Sequence, residues 1–298
     1  MKRTEFISRA RKIKGTSFII YKWSSVFLLF LMLCMPIYGE KINVTIITDK
    51  KCSFCMISPT QDYLRKTLPV IGFDIIDYRS LKAKKLIKKY GISSLPAFLL
   101  PGVVENKPSF SAIRTHAIKK NGYFLLSRDL SGEFMFLDRK EIPSRIDIFF
   151  SLYDNNLVNV LKTIRGFCKD KRISFGIHII NGKESNPFMA SAQREETERL
   201  LAVEMVYPSK FWSYLIKRIN NINSTWWIDD MESVGVDYKK IKRLIHSEQV
   251  KSIIGDNNMF SRELGIREGI VILVYNKMIF RVYKIKKSDL EKIIGYLQ

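Results

Sequence analysis

The sequence has few of the residues that staple proteins or bind metals. Its 298 residues include only four cysteines and three histidines. A secreted protein of this length that relied on structural disulfides would carry more cysteines. A zinc site needs about four Cys or His ligands at suitable spacing, and the histidines are scattered along the chain without a cysteine beside them. The composition therefore favours neither a disulfide scaffold nor a zinc protein, and we expect no bound metal.

Acidic residues are also scarce. The chain has 29 Asp and Glu against 50 Lys and Arg, which gives a formal net charge of +21. Many lysines alternate with apolar residues at helical spacing, as in residues 81–90, and this pattern indicates a solvated helix face. No recognisable nucleic-acid-binding motif accompanies them. We therefore expect no nucleic acid among the partners of this protein.

The first 39 residues have the pattern of an export signal. A basic segment (residues 1–23) precedes an apolar stretch (residues 26–38), and Gly39 follows. This order predicts a secretory signal peptide that is cleaved near Gly39. A bilayer span needs about 20 apolar residues, so cleavage is favoured over the alternative, an uncleaved anchor formed by residues 24–39. Both alternatives predict a periplasmic or other extracytoplasmic location.

Two cysteines stand three residues apart where an apolar strand gives way to a helix. Cys52-Ser53-Phe54-Cys55 follows the predicted strand Ile42–Thr48 and precedes the predicted helix Met56–Thr67. At such a turn the free backbone N–H groups of the helix and its dipole favour a thiolate. A thiolate attacks disulfides, and a second cysteine within reach completes the exchange. The spacing therefore suits redox chemistry. A purely stabilising disulfide is the alternative, although so short a loop gains little from closure.

This pair of cysteines, together with Leu95-Pro96-Ala97 about forty residues downstream, resembles the active site of the thioredoxin superfamily. The resemblance implies that Cys52 attacks and Cys55 resolves. It implies a cis-proline at Pro96, which borders the disulfide and leaves the neighbouring backbone available to an extended client segment. A redox-active disulfide would take the place of a cofactor. The predicted catalytic residues are Cys52, Cys55 and Pro96, and the predicted client-contacting residues are Ser53, Phe54 and Leu95.

The first predicted domain covers residues 40–143 and begins with the β-α-β order of a thioredoxin core. After the helix that follows the cysteines, we predict a strand at Phe73–Tyr78, a helix at Leu81–Tyr90 and a strand from Pro96 to Leu100. Beyond an irregular insertion, residues 122–128 and 133–137 are predicted to pair as a hairpin around Ser131-Gly132. The elements that close this domain depart from a minimal thioredoxin.

The second predicted domain, residues 144–298, resembles a degenerate copy of the first. Gly91–Leu100 aligns with Gly265–Val274. A copy keeps its fold even when its chemistry is lost. Ile270 takes the place of the proline, so the Gly269–Ile270 bond should be trans. The positions that correspond to the two cysteines fall among Asp154, Asn156, Leu157 and Asn159.

The second copy also contains a long segment with apolar residues at three- and four-residue spacing. This spacing predicts a helical insertion over residues 187–264. A helical domain inserted into a thioredoxin fold resembles the DsbA-type periplasmic oxidoreductases. The resemblance covers roughly residues 146–297 and concerns architecture, because the cysteines are missing there. The predicted fold class is therefore α/β, with two tandem thioredoxin-like domains, the second carrying an inserted helical subdomain.

The direction of electron flow depends on the residues around the cysteines. Ser53-Phe54 matches the corresponding dipeptide of neither thioredoxin nor DsbA. Both families carry a buried acid six residues before the first cysteine, where this chain has Ile46, and Asp49 is the candidate substitute. Lys50 and Lys51 would stabilise a thiolate. These features favour, by a small margin, a more oxidising couple.

Two classes of function are consistent with the sequence. The first is an exported thiol–disulfide oxidoreductase that acts on cysteine-containing client proteins and is recycled by a membrane or periplasmic redox partner. The second is a non-enzymatic client-binding or assembly factor for cysteine- or metal-containing exported proteins. No feature of the sequence predicts the oligomeric state.

Overall fold

The computed structural model of the protein describes residues 42–53, 55–132, 135–180 and 187–297. The predicted signal segment, with its alternative anchor at residues 24–39, and the predicted client-contacting residue Phe54 lie outside these ranges. Within the described ranges, no helix has both the length and the apolar character needed to cross a bilayer.

A mixed five-stranded sheet organises the first half of the described chain. The elements are β1 (Ile42–Thr48), α1 (Ser58–Thr67), β2 (Val70–Asp77), α2 (Leu81–Tyr90), β3 (Ser94–Leu95), β4 (Ala97–Pro101), β5 (Ala117–Lys120), β6 (Tyr123–Leu126), α3 (Arg128–Ser131) and β7 (Met135–Phe136). The strand order is β2-β1-β4-β6-β5, with β1 parallel to β2 and antiparallel to β4. This is the core order of a thioredoxin fold.

The two faces of this sheet are covered by different helices. Successive side chains of a strand point to opposite faces, and β1 uses both. Ile46 belongs to a buried cluster with Leu64 of α1, whereas Ile47 belongs to a cluster with Ala83 of α2. Burial on both sides therefore explains why the successive residues Ile46 and Ile47 are both apolar, whereas Asn43 of the same strand is exposed.

Helix α2 has the bounds that the sequence predicts. The Ser80 side chain accepts a hydrogen bond of 3.2 Å from the backbone N–H of Ala83, which caps the start of the helix. Gly91, with φ of 56°, ends the helix in the left-handed conformation that glycine adopts at little cost. The lysines of the helix are all exposed, which confirms the predicted solvated face: Lys82, Lys84, Lys85, Lys88 and Lys89.

The predicted hairpin around Ser131-Gly132 is wrong. The observed hairpin pairs β5 with β6, with Lys120 opposite Tyr123 and a two-residue turn at Asn121-Gly122. Both turn residues have positive φ, 47° and 78°, as a type I′ turn requires. The segment predicted to form the turn holds the short helix α3, Arg128–Ser131.

The second half of the chain repeats the same strand order around a different sheet. Its elements are β8 (Arg145–Phe150), α4 (Leu157–Lys171), β9 (Ser174–Ile179), α5 (Pro187–Val206), α6 (Pro208–Asn220), α7 (Trp227–Ser233), α8 (Tyr238–Ile245), α9 (Glu248–Glu263), β10 (Val271–Val274), β11 (Met278–Arg281) and α10 (Lys287–Leu297). Strand β8 is parallel to β9 and antiparallel to β10, which pairs with β11. The predicted α/β class, with a second thioredoxin-like unit and an inserted set of helices, is confirmed.

Two helices of the insertion begin at the signals that mark them in the sequence. Pro208 is the first residue of α6, where its missing N–H leaves no bond unmade. The Asp237 carboxylate accepts a hydrogen bond of 2.9 Å from the Lys239 N–H at the start of α8. Apolar residues of these helices, including Leu215 and Ile241, join one core with α4 and the second sheet.

Two short strands connect the halves. Strand β3 pairs with β7, with Ser94 opposite Phe136 and Leu95 opposite Met135. Strand β7 then pairs with β11, so the second sheet has the order β3-β7-β11-β10-β8-β9. Strands from the first predicted domain thus form the edge of the second sheet. We call residues 42–132 the N-terminal lobe and residues 145–297 the C-terminal lobe.

Candidate functional site around Cys52 and Cys55

Cys52 and Cys55 form a disulfide in the loop that leaves β1. Their Cα atoms are 5.3 Å apart. The loop turns tightly, because the Cys52 N–H donates to the Asp49 carbonyl at 3.2 Å and the Cys55 N–H donates to the Cys52 carbonyl at 3.4 Å. Ser53, one of the predicted client-contacting residues, is exposed between them.

The helix after the disulfide begins later than the sequence predicts. Helix α1 starts at Ser58, not at Met56, and Pro59 lies in its first turn. A proline deeper in the helix would clash with the carbonyl four residues earlier, so Pro59 favours a start close to itself. Neither cysteine is therefore part of the first turn. Since the field of a helix terminus falls off within one turn, the helix contributes less to a thiolate here than the sequence suggests.

Pro96 lies at the same end of the sheet as the disulfide. Ile47 is opposite Ala97 in the β1–β4 register, so the end of β1 and the start of β4 are adjacent. The Leu95–Pro96 peptide bond is cis, as the resemblance implies. Among the described residues it is the one cis bond, and the Gly269–Ile270 bond is trans as predicted. The structure thus brings Pro96 and the cysteine loop to one end of the sheet.

The disulfide is covered by the C-terminal lobe. Cys52 is 7% exposed and belongs to a buried cluster whose other buried members all come from residues 146–294. Cys55 is partly buried and packs against the same cluster, as does Met135 of β7. Leu95, the third predicted client-contacting residue, has a buried side chain and pairs through its backbone with Met135.

Asp49 is a buried acid beside the disulfide whose carboxylate is already occupied. Arg79 donates to both of its oxygens, at 2.8 and 2.7 Å. The Lys51 N–H donates to Oδ1 at 2.9 Å, and the Tyr296 hydroxyl of α10 donates to Oδ2. These bonds engage both carboxylate oxygens. Asp49 therefore stabilises the loop through these hydrogen bonds. Ile46, at the position of the missing acid, is buried in the apolar core.

Positive charge surrounds this carboxylate. The hydrogen bonds to Asp49 raise the pKa of Arg79 further above its ordinary value. Burial acts to raise the pKa of Asp77, but hydrogen bonds from the backbone of Arg79 and Lys50 outweigh it and hold that pKa below its usual range. Lys50 and Lys51 are both exposed at the rim of the loop. Asp49 and Asp77 pair with Arg79, so the excess positive charge of the loop comes from Lys50 and Lys51.

Arg79, Tyr296 and Met135 are residues of the site that sequence reasoning missed. Arg79 lies just after β2, which is parallel to β1. The β-α-β order could therefore have suggested that Arg79 lies next to the loop that follows β1. Tyr296 lies 247 residues from Asp49, and no local pattern marks their contact. The sequence predicts a strand at Met135, but nothing in it predicts the pairing with Leu95.

The remaining cysteine of the described chain is not part of this site. Cys168 is buried in α4. Burial raises the pKa of its thiol to about 12. A protonated, buried thiol is a poor nucleophile, so Cys168 belongs to the core of the C-terminal lobe.

The corresponding loop of the C-terminal lobe carries polar bonds in place of the disulfide. The Asp154 carboxylate accepts a hydrogen bond of 2.7 Å from the Ser151 N–H. Asn156 donates to the Tyr283 carbonyl at 2.8 Å, and Asn159 donates to Asn156 at 2.6 Å. Leu157 is buried at the start of α4. The loss of redox chemistry in this copy stays a prediction.

Comparison with known proteins gives a structural likeness over about half of the chain. No protein-family model matches the sequence, and no curated protein matches it. The chain is similar to a thioredoxin-like oxidoreductase from Silicibacter pomeroyi, with 12% identity over 51% of this chain and 85% of the other and a TM-score of 0.40. It is also similar to the disulfide oxidoreductase DsbA from Proteus mirabilis, with 16% identity over 56% of this chain and 95% of the other and a TM-score of 0.40. A thiol-disulfide exchange protein from Wolbachia pipientis gives 12% identity over 52% and 81%, with a TM-score of 0.43.

Proposed function

We propose that this protein is a thiol–disulfide oxidoreductase that exchanges disulfides with cysteine-containing client proteins through Cys52 and Cys55. One observation carries the proposal. The Cys52–Cys55 disulfide lies at the end of β1, beside the start of β4 at Pro96, in a lobe with thioredoxin strand order. That position in the fold is where the superfamily places its redox pair. The basic leader supports export, and hence a periplasmic or other extracytoplasmic location with a redox partner that recycles the cysteines.

In the oxidising direction, the exchange proceeds by two thiolate displacements. A client thiolate, its proton released to solvent, attacks the Sγ atom of Cys52. The Cys52–Cys55 bond breaks, a mixed disulfide forms, and Cys55 leaves as a thiolate. A second client thiolate then attacks the client sulfur of the mixed disulfide and displaces Cys52 as a thiolate. The client gains a disulfide and the protein takes up two electrons, which the redox partner removes.

The exposed cations Lys50 and Lys51 at the rim of the loop favour thiolates in this reaction, whereas the charge of Arg79 is already paired with Asp49 and Asp77. A positive charge beside a cysteine favours its ionised form and lowers its pKa. A stabilised reduced form makes a disulfide more oxidising. This charge therefore favours the role of disulfide donor, and the measured potential decides between donor and reductant.

A non-enzymatic assembly factor is the second candidate, and one observation favours it. Cys52, the sulfur that a client would attack, is 7% exposed. A protein that holds cysteine- or metal-containing clients without exchanging disulfides has no need of an accessible Cys52. In that case client binding would survive loss of either cysteine.

The first test is equilibration of the protein with glutathione redox buffers, followed by quantification of the Cys52–Cys55 disulfide. A potential of about −120 mV indicates a disulfide donor, and one of about −270 mV indicates a reductant. Cys52→Ser should abolish turnover, whereas Cys55→Ser should trap mixed disulfides with clients. Absence of a reversible couple, with client binding retained in both variants, would overturn the enzyme proposal in favour of the assembly factor.

A further inference from the structure

Three parts of the site are occupied by the chain's own residues. The first is the attacked sulfur. Cys52 is packed into the core cluster of the C-terminal lobe and is 7% exposed. A thiolate must reach the sulfur that it attacks. In this arrangement the C-terminal lobe lies where the incoming thiolate of a client would have to be.

The second part is the strand edge next to Pro96. The backbone of Ser94 and Leu95 pairs in antiparallel fashion with Phe136 and Met135. The Leu137 N–H donates a hydrogen bond of 2.8 Å to the Ser93 carbonyl and extends the contact. An extended client segment would pair with this edge by strand addition. Residues 135–137 already use the hydrogen-bonding groups that such a segment needs.

The third part is the buried acid behind the loop. Tyr296 of α10 donates its hydroxyl to the Asp49 carboxylate, three residues before Cys52. A hydrogen bond to a charged, buried group is stronger than one between neutral groups. This contact ties the last helix of the C-terminal lobe to the loop that carries the disulfide.

We propose that the C-terminal lobe is an inhibitory cover for the redox disulfide, and that clients react at Cys52 only after this lobe has moved away from the loop. The proposal rests on the exchange function inferred above. Strand β7 pairs with β11 and would move with the C-terminal lobe. Opening would therefore break the Tyr296–Asp49 hydrogen bond, separate β3 from β7 and expose Cys52 together with its strand edge. One motion thus frees both the sulfur and the groups that bind the client.

The test measures the reactivity of Cys52 as a single thiol, in the full chain carrying Cys55→Ser. Iodoacetamide alkylation is followed by peptide mapping, which separates Cys52 from Cys34 and Cys168. Rates are taken across a pH series, because a changed thiol pKa moves the midpoint of the curve, whereas a changed exposure alters its plateau. The urea-unfolded protein supplies the rate of an uncovered Cys52.

If the C-terminal lobe covers Cys52, the plateau rate of Cys52 alkylation should be well below that of the unfolded protein. Tyr296→Phe removes one charge-assisted hydrogen bond from the closed arrangement, so the plateau should rise about tenfold. Met135→Ala, which weakens the packing beside Leu95, should raise it as well. Tyr283→Phe is the matched control, because Tyr283 lies in the same lobe with its side chain 82% exposed, and it should leave the rate unchanged.

The outcomes separate this proposal from the exchange function. A folded protein whose Cys52 reacts as fast as in urea, or Tyr296→Phe and Met135→Ala variants at the parent rate, would overturn the cover. Faster alkylation in these variants without a reversible Cys52–Cys55 couple would retain the cover and reject the oxidoreductase. A reversible couple together with unchanged alkylation rates would do the reverse.

Discussion

The N-terminal and C-terminal lobes share a strand order and differ at the loop after their first strand. In the N-terminal lobe β1 leads into the Cys52–Cys55 disulfide. In the C-terminal lobe β8 leads into Ser151, whose hydroxyl donates to the Gln193 side chain at 2.8 Å. Gln193 in turn donates to the Ile180 carbonyl at 2.6 Å. The same place in the fold therefore holds a disulfide in one lobe and anchors inserted helices in the other.

This difference teaches that a shared fold sets the position of a site but not its chemistry. In the C-terminal lobe the loop is fixed within its own lobe by short polar contacts. In the N-terminal lobe the loop depends on a residue of the other lobe, because Tyr296 donates to Asp49. The lobe without the redox pair is thus fixed by its own residues, and the loop that carries the redox pair is stabilised in part by a residue of the other lobe.

The largest expected effect is on the free energy of unfolding, and it comes from comparing one ion pair in each lobe. Arg218 is 2% exposed and lies between the carboxylates of Glu196 and Asp230, at 3.1 and 2.7 Å. Arg218→Met would leave Asp230 buried without its cation and Glu196 with Arg199 alone, and should lower the free energy of unfolding by about 3–5 kcal/mol. Arg79→Met should cost less, because the Arg79 side chain is 42% exposed and Asp49 keeps the Lys51 and Tyr296 donors.

Urea unfolding followed by circular dichroism measures both variants. The matched control is Arg243→Met, which removes an exposed arginine from α8 and should have little effect. Equal losses for Arg218→Met and Arg79→Met would contradict the idea that the C-terminal lobe is the internally fixed one.

A smaller effect concerns the stability of the fold at low pH. Asp147 of β8 is buried and bonded to Arg145 and His178, at 2.8 and 2.9 Å. Burial acts to raise the pKa of Asp147, but the bonds from His178 and Arg145 outweigh it and lower the pKa. A carboxyl whose pKa is lower in the folded state stabilises the fold above its unfolded value of about 3.9, and this contribution is lost as pH falls below that value.

Asp147→Asn should therefore flatten the fall of the urea midpoint below pH ~4. Asp77→Asn provides the comparison in the N-terminal lobe, where the lowered pKa belongs to a side chain that is 26% exposed. Its effect on the fall of the urea midpoint at low pH should be smaller. If the urea midpoint of Asp147→Asn falls at low pH as it does in the parent protein, this buried carboxylate does not couple folding to pH.

Regular elements with strong local signals could be predicted from the sequence. β1 and α2 have the predicted bounds, because an apolar run and a capped amphipathic pattern each specify one structure. The missed hairpin had a local signal too. Asn121-Gly122 is the turn pair that two-residue hairpins prefer, whereas Ser131-Gly132 ends the short helix α3. The prediction therefore placed β6 correctly but paired it with the wrong strand and left out β5.

From the sequence, only those residues of the candidate site that stand at a characteristic spacing along the chain could be predicted. Cys52, Cys55 and Pro96 follow from a motif and a distance along the chain. The burial of Cys52, the Tyr296–Asp49 bond and the pairing of Leu95 with Met135 depend on how two lobes pack. No pattern within one segment encodes such contacts, because each joins residues that are far apart in sequence.

The smallest expected effect concerns the cysteine of the C-terminal lobe. Cys168 is a free thiol in the described chain, buried among the residues that also cover Cys52. Because burial raises its pKa to about 12, the thiol stays protonated at neutral pH and should take no part in exchange. Cys168→Ala should leave the Cys52–Cys55 redox potential and the exchange rate unchanged, with only a modest loss of stability from the atom removed. A shift of the potential, or a disulfide between Cys168 and either redox cysteine in peptide maps, would mean that the C-terminal lobe takes part in the chemistry and not only in covering it.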